Sequence, residues 1–204
     1  AVLVQWYAGE QQGCTLADIL LGKVNPSGKL NVSFPRSTGN TPCFYNHFVT
    51  DREESFDQPG TPEEPKGHYI FDKPEPLWNF GHGKSYTTFD YVDCALSDTL
   101  LVASDTLKVS VTIKNTGRRD GKEVVQLYVR DKVSTVATPI QQLKAFQKVL
   151  IKPGESQCVE LSLPIAELAL YNAKMEEVVE PGDFEIQIGA ASDDIRFKKT
   201  ITIN

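Results

Sequence analysis

The chain has 204 residues, 40% of them apolar and 24% charged, enough for one large or two modest globular domains. Its 21 Lys and Arg stand against 27 Asp and Glu, and a net charge of −6 argues against a nucleic-acid partner. No apolar run approaches the roughly 20 residues of a membrane helix, and four cysteines without a C-x-x-C pair exclude a disulfide scaffold.

The first residue is Ala1, and nothing resembles a signal peptide. The continuous apolar run Val2-Leu3-Val4 predicts a parallel strand covered on both faces, so the chain is expected to be a piece of a longer protein. Gly9 to Gly13 turns the chain. Leu16, Ala17, Ile19, Leu20 and Leu21 predict a short helix, apolar nearly all round and ended by Gly22. After the turn Asn25-Pro26-Ser27-Gly28, Leu30, Val32 and Phe34 alternate with polar residues and predict a half-buried strand. One such α/β unit cannot cover both of its faces, so its neighbours are expected upstream.

Residues 51–76 hold eight acids against Arg52, Lys66 and Lys73, a net −5 that accounts for most of the chain's charge. Pro59, Pro62, Pro65, Pro74 and Pro76 interrupt any regular element there, and the stretch reads as a solvated connector. From about residue 90 the pattern changes to period two. Leu107, Val109, Val111 and Ile113 alternate with polar residues, as do Val125, Leu127 and Val129, then Val159, Leu161 and Leu163, then Phe184, Ile186 and Ile188. With Tyr91–Leu96, Leu143–Leu150 and the closing Ile201 and Ile203, about seven strands are expected. They form an all-antiparallel immunoglobulin-like or fibronectin-like β-sandwich.

Three segments carry a family resemblance. The first is Trp6-Tyr7-Ala8-Gly9-Glu10-Gln11-Gln12-Gly13 with Ala17-Asp18-Ile19-Leu20, Asn25-Pro26-Ser27-Gly28-Lys29-Leu30 and Phe34-Pro35. The second is Phe80-Gly81-His82-Gly83-Lys84-Ser85-Tyr86-Thr87-Thr88-Phe89, in which Lys84 replaces a usual Leu. The third joins Asn115-Thr116-Gly117, Glu123-Val124-Val125-Gln126-Leu127-Tyr128 and Glu180-Pro181-Gly182-Asp183-Phe184. In this order they resemble the C-terminal part of family 3 glycoside hydrolases, mostly β-glucosidases and β-xylosidases. The resemblance implies a C-terminal remnant of an α/β sandwich domain over 1–35, a Pro-rich acidic linker over 36–89 and a fibronectin type III-like β-sandwich over 90–204. It implies action on terminal β-linked glucosides or xylosides through upstream catalytic domains, in an extracellular or periplasmic setting.

Retaining glycosidases use a carboxylate nucleophile and a carboxylic acid/base about 5–5.5 Å apart. The family's nucleophile is an Asp beside a Trp, and no Asp-Trp pair occurs here; its acid/base Glu falls upstream of the segment matching Trp6–Gly13. No catalytic residue, metal or cofactor is therefore expected in this chain. Glu10 is the candidate substrate-binding residue, because it lies in a Gly-flanked loop after a predicted strand, where α/β sheets gather their ligands. A loop carboxylate complementing a helix dipole would look the same. Glu53 and Glu54 read as solvated neighbours. His47, His68 and His82 lack metal-ligand spacing, and Cys14, Cys43, Cys94 and Cys158 read as free thiols. Phe44, Tyr45, Tyr69, Trp78, Phe80 and Tyr86 crowd the linker, where aromatic faces could stack on sugar rings or pin the connector to its neighbours. The apolar N-terminal unit is also expected to drive self-association.

Overall fold

The computed structural model describes residues 2–48, 61–63, 72–73 and 75–204. Glu53, Glu54, His68 and Tyr69 lie outside the described residues.

Ten strands follow one another from residue 89 onward: β1 (Phe89–Leu96), β2 (Leu100–Leu101), β3 (Thr106–Asn115), β4 (Gly121–Asp131), β5 (Gln142–Ile151), β6 (Ser156–Pro164), β7 (Leu170–Tyr171), β8 (Glu177–Val178), β9 (Gly182–Ala191) and β10 (Asp194–Ile203). One sheet has the order β1-β3-β6, the other β2-β10-β9-β4-β5, and β7 pairs with β8 alone. In the smaller sheet Val111 of β3 lies between Cys94 and Val159. That register carries Leu107, Val109, Val111 and Ile113 to the inner face together, and all four are fully buried. Val125, Leu127, Ile186, Ile188 and Ile201 meet them from the larger sheet, closing one apolar core.

The pairing is not wholly antiparallel. β2 runs parallel to the end of β10, with Leu100 opposite Thr202 and Leu101 opposite Ile203. Two residues carry no periodicity, so their direction is set by where the β1–β3 connection crosses the sheet edge and not by any local pattern.

The N-terminal part departs further from expectation. Residues 2–4 form no strand, and Val2 is 71% exposed. A strand needs a ladder to satisfy its N–H and C=O groups, and none of the described residues supplies one. The helix α1 spans Gln12–Leu20, starting earlier than its apolar residues indicate, and buries none of its residues. Its end is as expected. Gly22 takes φ 72°, its N–H donates to Ile19 O at 2.9 Å, and Lys23 N–H donates to Asp18 O at 2.8 Å. Residues 30–34 are not a ladder strand but a pair of clasps. Leu30 N–H donates to His82 O at 2.8 Å and Gly81 N–H donates back to Leu30 O at 2.7 Å. Phe34 N–H donates to Trp78 O at 2.8 Å, and Leu77 N–H donates to Phe34 O at 2.7 Å.

Candidate functional site

The described chemistry concentrates where residues 25–48 and 75–88 cover the sandwich. β4 lies inside its sheet between β9 and β5, and its residues 123–129 are buried on both faces. Val125, Leu127 and Val129 face the core. Gln126 and Tyr128 belong to the opposite face, yet they are 2% and 0% exposed. The connector closes over them: Gln126 Nε2 donates to Ala190 O at 2.6 Å and Gly81 O at 3.3 Å, and Tyr128 OH donates to Gln126 Oε1 at 2.6 Å. A Cβ on Gly81 would collide with Gln126 Oε1, and the residue's φ of 81° also favours glycine. Burial pushes the Tyr128 phenol far above its ordinary range, so it stays a neutral donor.

Beside this contact lies a buried ion pair. Lys29 Nζ reaches Glu123 Oε1 at 3.1 Å, with side chains 14% and 7% exposed. Tyr91 OH donates to the same oxygen at 3.3 Å, and burial together with the Glu123 charge pushes that phenol far up. Sequence reasoning missed this cluster. Its signal was present: Glu123 occupies the same parity as Val125, Leu127 and Val129, and an acid on a core-facing position needs a cation or a donor.

Further bonds seal the seam. Asn25 Nδ2 donates to Asp120 O at 2.9 Å, while its Oδ1 accepts from Ser85 Oγ at 2.9 Å and Tyr86 N at 2.8 Å. Arg119 donates to Gly22 O at 2.8 Å with its guanidinium 6.0 Å from the Tyr86 ring centroid, and Tyr86 OH donates to Ile19 O at 2.9 Å. The linker aromatics act as anchors here. Tyr45 stacks on Phe80 at 4.1 Å and meets Tyr128 edge-on at 5.9 Å, and Trp78 packs edge-on against Phe34 at 5.6 Å.

Two cavities flank this region. One, of about 400 Å³, opens between connector and sandwich and is lined in part by Phe44, Tyr45, Glu75, Asn79, Gln141 and Asp193. The other, of about 360 Å³, sits at one end of the sandwich and includes Phe48, Asp131, Gln142, Lys144, Tyr171 and Phe184. Burial raises the Asp131 carboxyl and lowers the Lys144 ammonium there.

Glu10 joins neither cavity. It is exposed in the turn just before α1, where Gln12 N–H donates to Gly9 O at 3.2 Å. The structure brings no second candidate to it. His82 is half-buried at the Leu30 clasp, and burial with the nearby Lys84 charge lowers its pKa. His47 lines the larger cavity. Cys94 is buried, Cys43 half-buried, and Cys14 and Cys158 are exposed, all as free thiols. Among the described residues no group of three or more His, Cys, Asp or Glu is placed to hold a metal, and no helix is long and apolar enough to cross a membrane.

A two-sheet sandwich of this topology, its larger sheet covered at Gln126 and Tyr128 by the connector, has a fibronectin type III-like fold. A Fibronectin type III-like domain matches residues 123–192, and the Glycosyl hydrolase family 3 C-terminal domain matches residues 1–86. The chain belongs to glycoside hydrolase family 3, of which it represents a C-terminal part. It is 40% identical over 195 residues to a periplasmic beta-glucosidase of Salmonella typhimurium, covering 94% of this chain and 25% of that protein. A beta-xylosidase of Formosa agariphila is also 40% identical, with 96% of this chain and 26% of the relative covered. The crystal structure of a beta-glucosidase from Listeria innocua in complex with glucose superposes with a TM-score of 0.84 at 38% identity, covering 98% of this chain and 27% of that one. The chain thus spans about a quarter of the length of the curated relatives it matches.

Proposed function

We propose that the chain is the supporting C-terminal part of a retaining β-glycosidase that removes terminal β-D-glucosyl or β-D-xylosyl residues. Chemistry at the glycosidic bond belongs to domains outside this sequence. The division proposed is 1–35 as the end of an α/β sandwich domain, 36–89 as linker and 90–204 as the fibronectin-like domain. The observation that carries this reading is the asymmetry of the N-terminal part. One side is bonded to the sandwich by Lys29 to Glu123, Asn25 to Asp120 and Gly22 to Arg119. The other leaves Val2, Trp6, Leu20 and Leu21 exposed, an apolar surface suited to the rest of an α/β layer. In that setting Glu10, exposed at the start of α1, stands where a loop carboxylate could meet a sugar hydroxyl.

The names of the relatives supply the substrate class, and the family's use of upstream carboxylates supplies the division of labour. An export route is proposed from the periplasmic relative alone. The test is hydrolysis of aryl β-glucoside and aryl β-xyloside by the purified chain beside a full-length relative. No turnover is expected from the chain, and turnover that survives purification and disappears in Glu10→Gln would overturn the proposal.

A further inference from the structure

We infer that the cavity between connector and sandwich binds a pyranose sugar, with the end of a β-linked gluco-oligosaccharide as its ligand. A pyranose has an apolar C–H face and a rim of hydroxyls, so its site needs ring surface together with a few fixed acceptors and donors. This cavity, of about 400 Å³, offers both. Phe44 leaves 65% of its surface uncovered at the rim. Tyr45, behind it, is held rigid by the Phe80 stack, the Tyr128 edge contact and the N–H of Leu143, which donates to its phenol oxygen at 3.2 Å.

The polar wall is prepared in the same way. Asn79 Nδ2 donates to Asp193 Oδ2 at 2.7 Å, which fixes both side chains. Gln141 is tied to Ser192 O at 3.1 Å through its Nε2, leaving its amide oxygen available as an acceptor. Glu75 brings a second carboxylate to the same wall, and among the described residues its Oε2 receives no hydrogen bond. Other ligand classes fit less well. Two carboxylates repel phosphate or sulfate, and the described residues form no metal-binding group. The preference for β-linked glucose rests on the reading in the previous subsection, whereas the preference for a polyhydroxylated ring does not.

The test is titration of the isotopically labelled full chain with cellobiose, followed by amide chemical shifts, with spermidine as a cationic comparison. Saturable shifts are expected at residues 44–47, 79–80 and 192–193. Phe44→Ala should weaken binding about tenfold, the scale of losing one ring-face contact. Glu75→Gln retains the side chain's size and should also weaken it, while Phe146→Ala, an exposed ring on β5, should leave it unchanged. Melting curves of each variant separate lost binding from lost folding. Absence of saturable shifts with cellobiose, shifts confined elsewhere, equal effects of Phe44→Ala and Phe146→Ala, or binding of spermidine alone would overturn the inference. A negative result leaves the supporting role untouched, since that role is judged by turnover and not by binding.

Discussion

The N-terminal tail and the β-sandwich contain similar apolar residues, and they end in opposite conditions. In the sandwich, Leu107, Val109, Val111 and Ile113 disappear into a core shared by two sheets. In the tail, Leu20 is 70% exposed and Trp6 60%. Alternation becomes a strand only where a neighbouring strand takes up the backbone groups, and an apolar face becomes core only where a second layer meets it. The sandwich contains both of its layers. The tail holds its place by polar bonds to the sandwich, so the two regions should respond differently to substitution.

The largest effect is expected in the sandwich core. Leu127→Asp or Val111→Asp places an unpaired carboxylate among fully buried side chains. That costs several kcal/mol, a large share of the roughly 5–15 kcal/mol that stabilises a typical domain. Loss of a cooperative thermal transition by circular dichroism is the expected outcome; an unchanged melting temperature would mean that the core face is assigned wrongly.

At the seam, Lys29→Ala leaves Glu123 buried without its cation, and a loss of about 3 kcal/mol is expected by urea unfolding. The pair Lys29→Met with Glu123→Leu should recover most of that loss, because an apolar pair removes the stranded charge. Failure of the double variant to recover would locate the seam's stability in its other hydrogen bonds.

A smaller effect follows pH. The folded-state pKa of His82 is lowered below its ordinary value of 6.5, first by burial and then by the Lys84 and Lys29 charges, against the opposing charges of Asp193 and Asp194. The unfolded chain therefore takes up its proton first on acidification, and stability falls as pH drops below about 6.5 toward the folded value. His82→Gln should flatten the melting temperature across that window, which a pH series of melts would read.

The smallest change in stability is expected on the tail's open face. Leu20→Ser with Leu21→Ser alters residues that bury little, and should change the unfolding free energy by less than about 0.5 kcal/mol. The same variant should reduce self-association of the chain measured by light scattering, since it removes exposed apolar surface. A strong destabilisation would show that the tail has a core of its own.

The sandwich was legible because several of its long strands alternate apolar and polar residues in sequence between turn signals such as Asn115-Thr116-Gly117 and Lys152-Pro153-Gly154. The parallel β2–β10 pair was not, since two residues have no period. Val2–Val4 read as a buried strand because an apolar run reports a demand for cover, whereas the structure reports what cover the described residues give. Gln126 and Tyr128 alternate with the core-facing residues of β4 and are nonetheless buried, and the connector's return across β4 cannot be inferred from local pattern. The linker aromatics were legible as anchors by composition, but their partners Phe34 and Tyr128 lie far off in sequence. Glu10 had a place in the sequence and stays exposed in the turn before α1. The cavity beside Phe44 gathers Glu75, Asn79, Gln141 and Asp193 from separate segments, so only the fold assembles it.

The seam is fastened largely to main-chain oxygens: Arg119 to Gly22, Tyr86 to Ile19, Asn25 to Asp120, Gln126 to Gly81, and Ser192 N–H to Phe80. Every residue type offers a carbonyl. The surface of the tail can therefore drift through many mutations while the joint persists, provided that the few donors and the glycine at 81 are kept. Such a joint lets natural variation retune the tail's exposed face without renegotiating how the tail is attached to the sandwich.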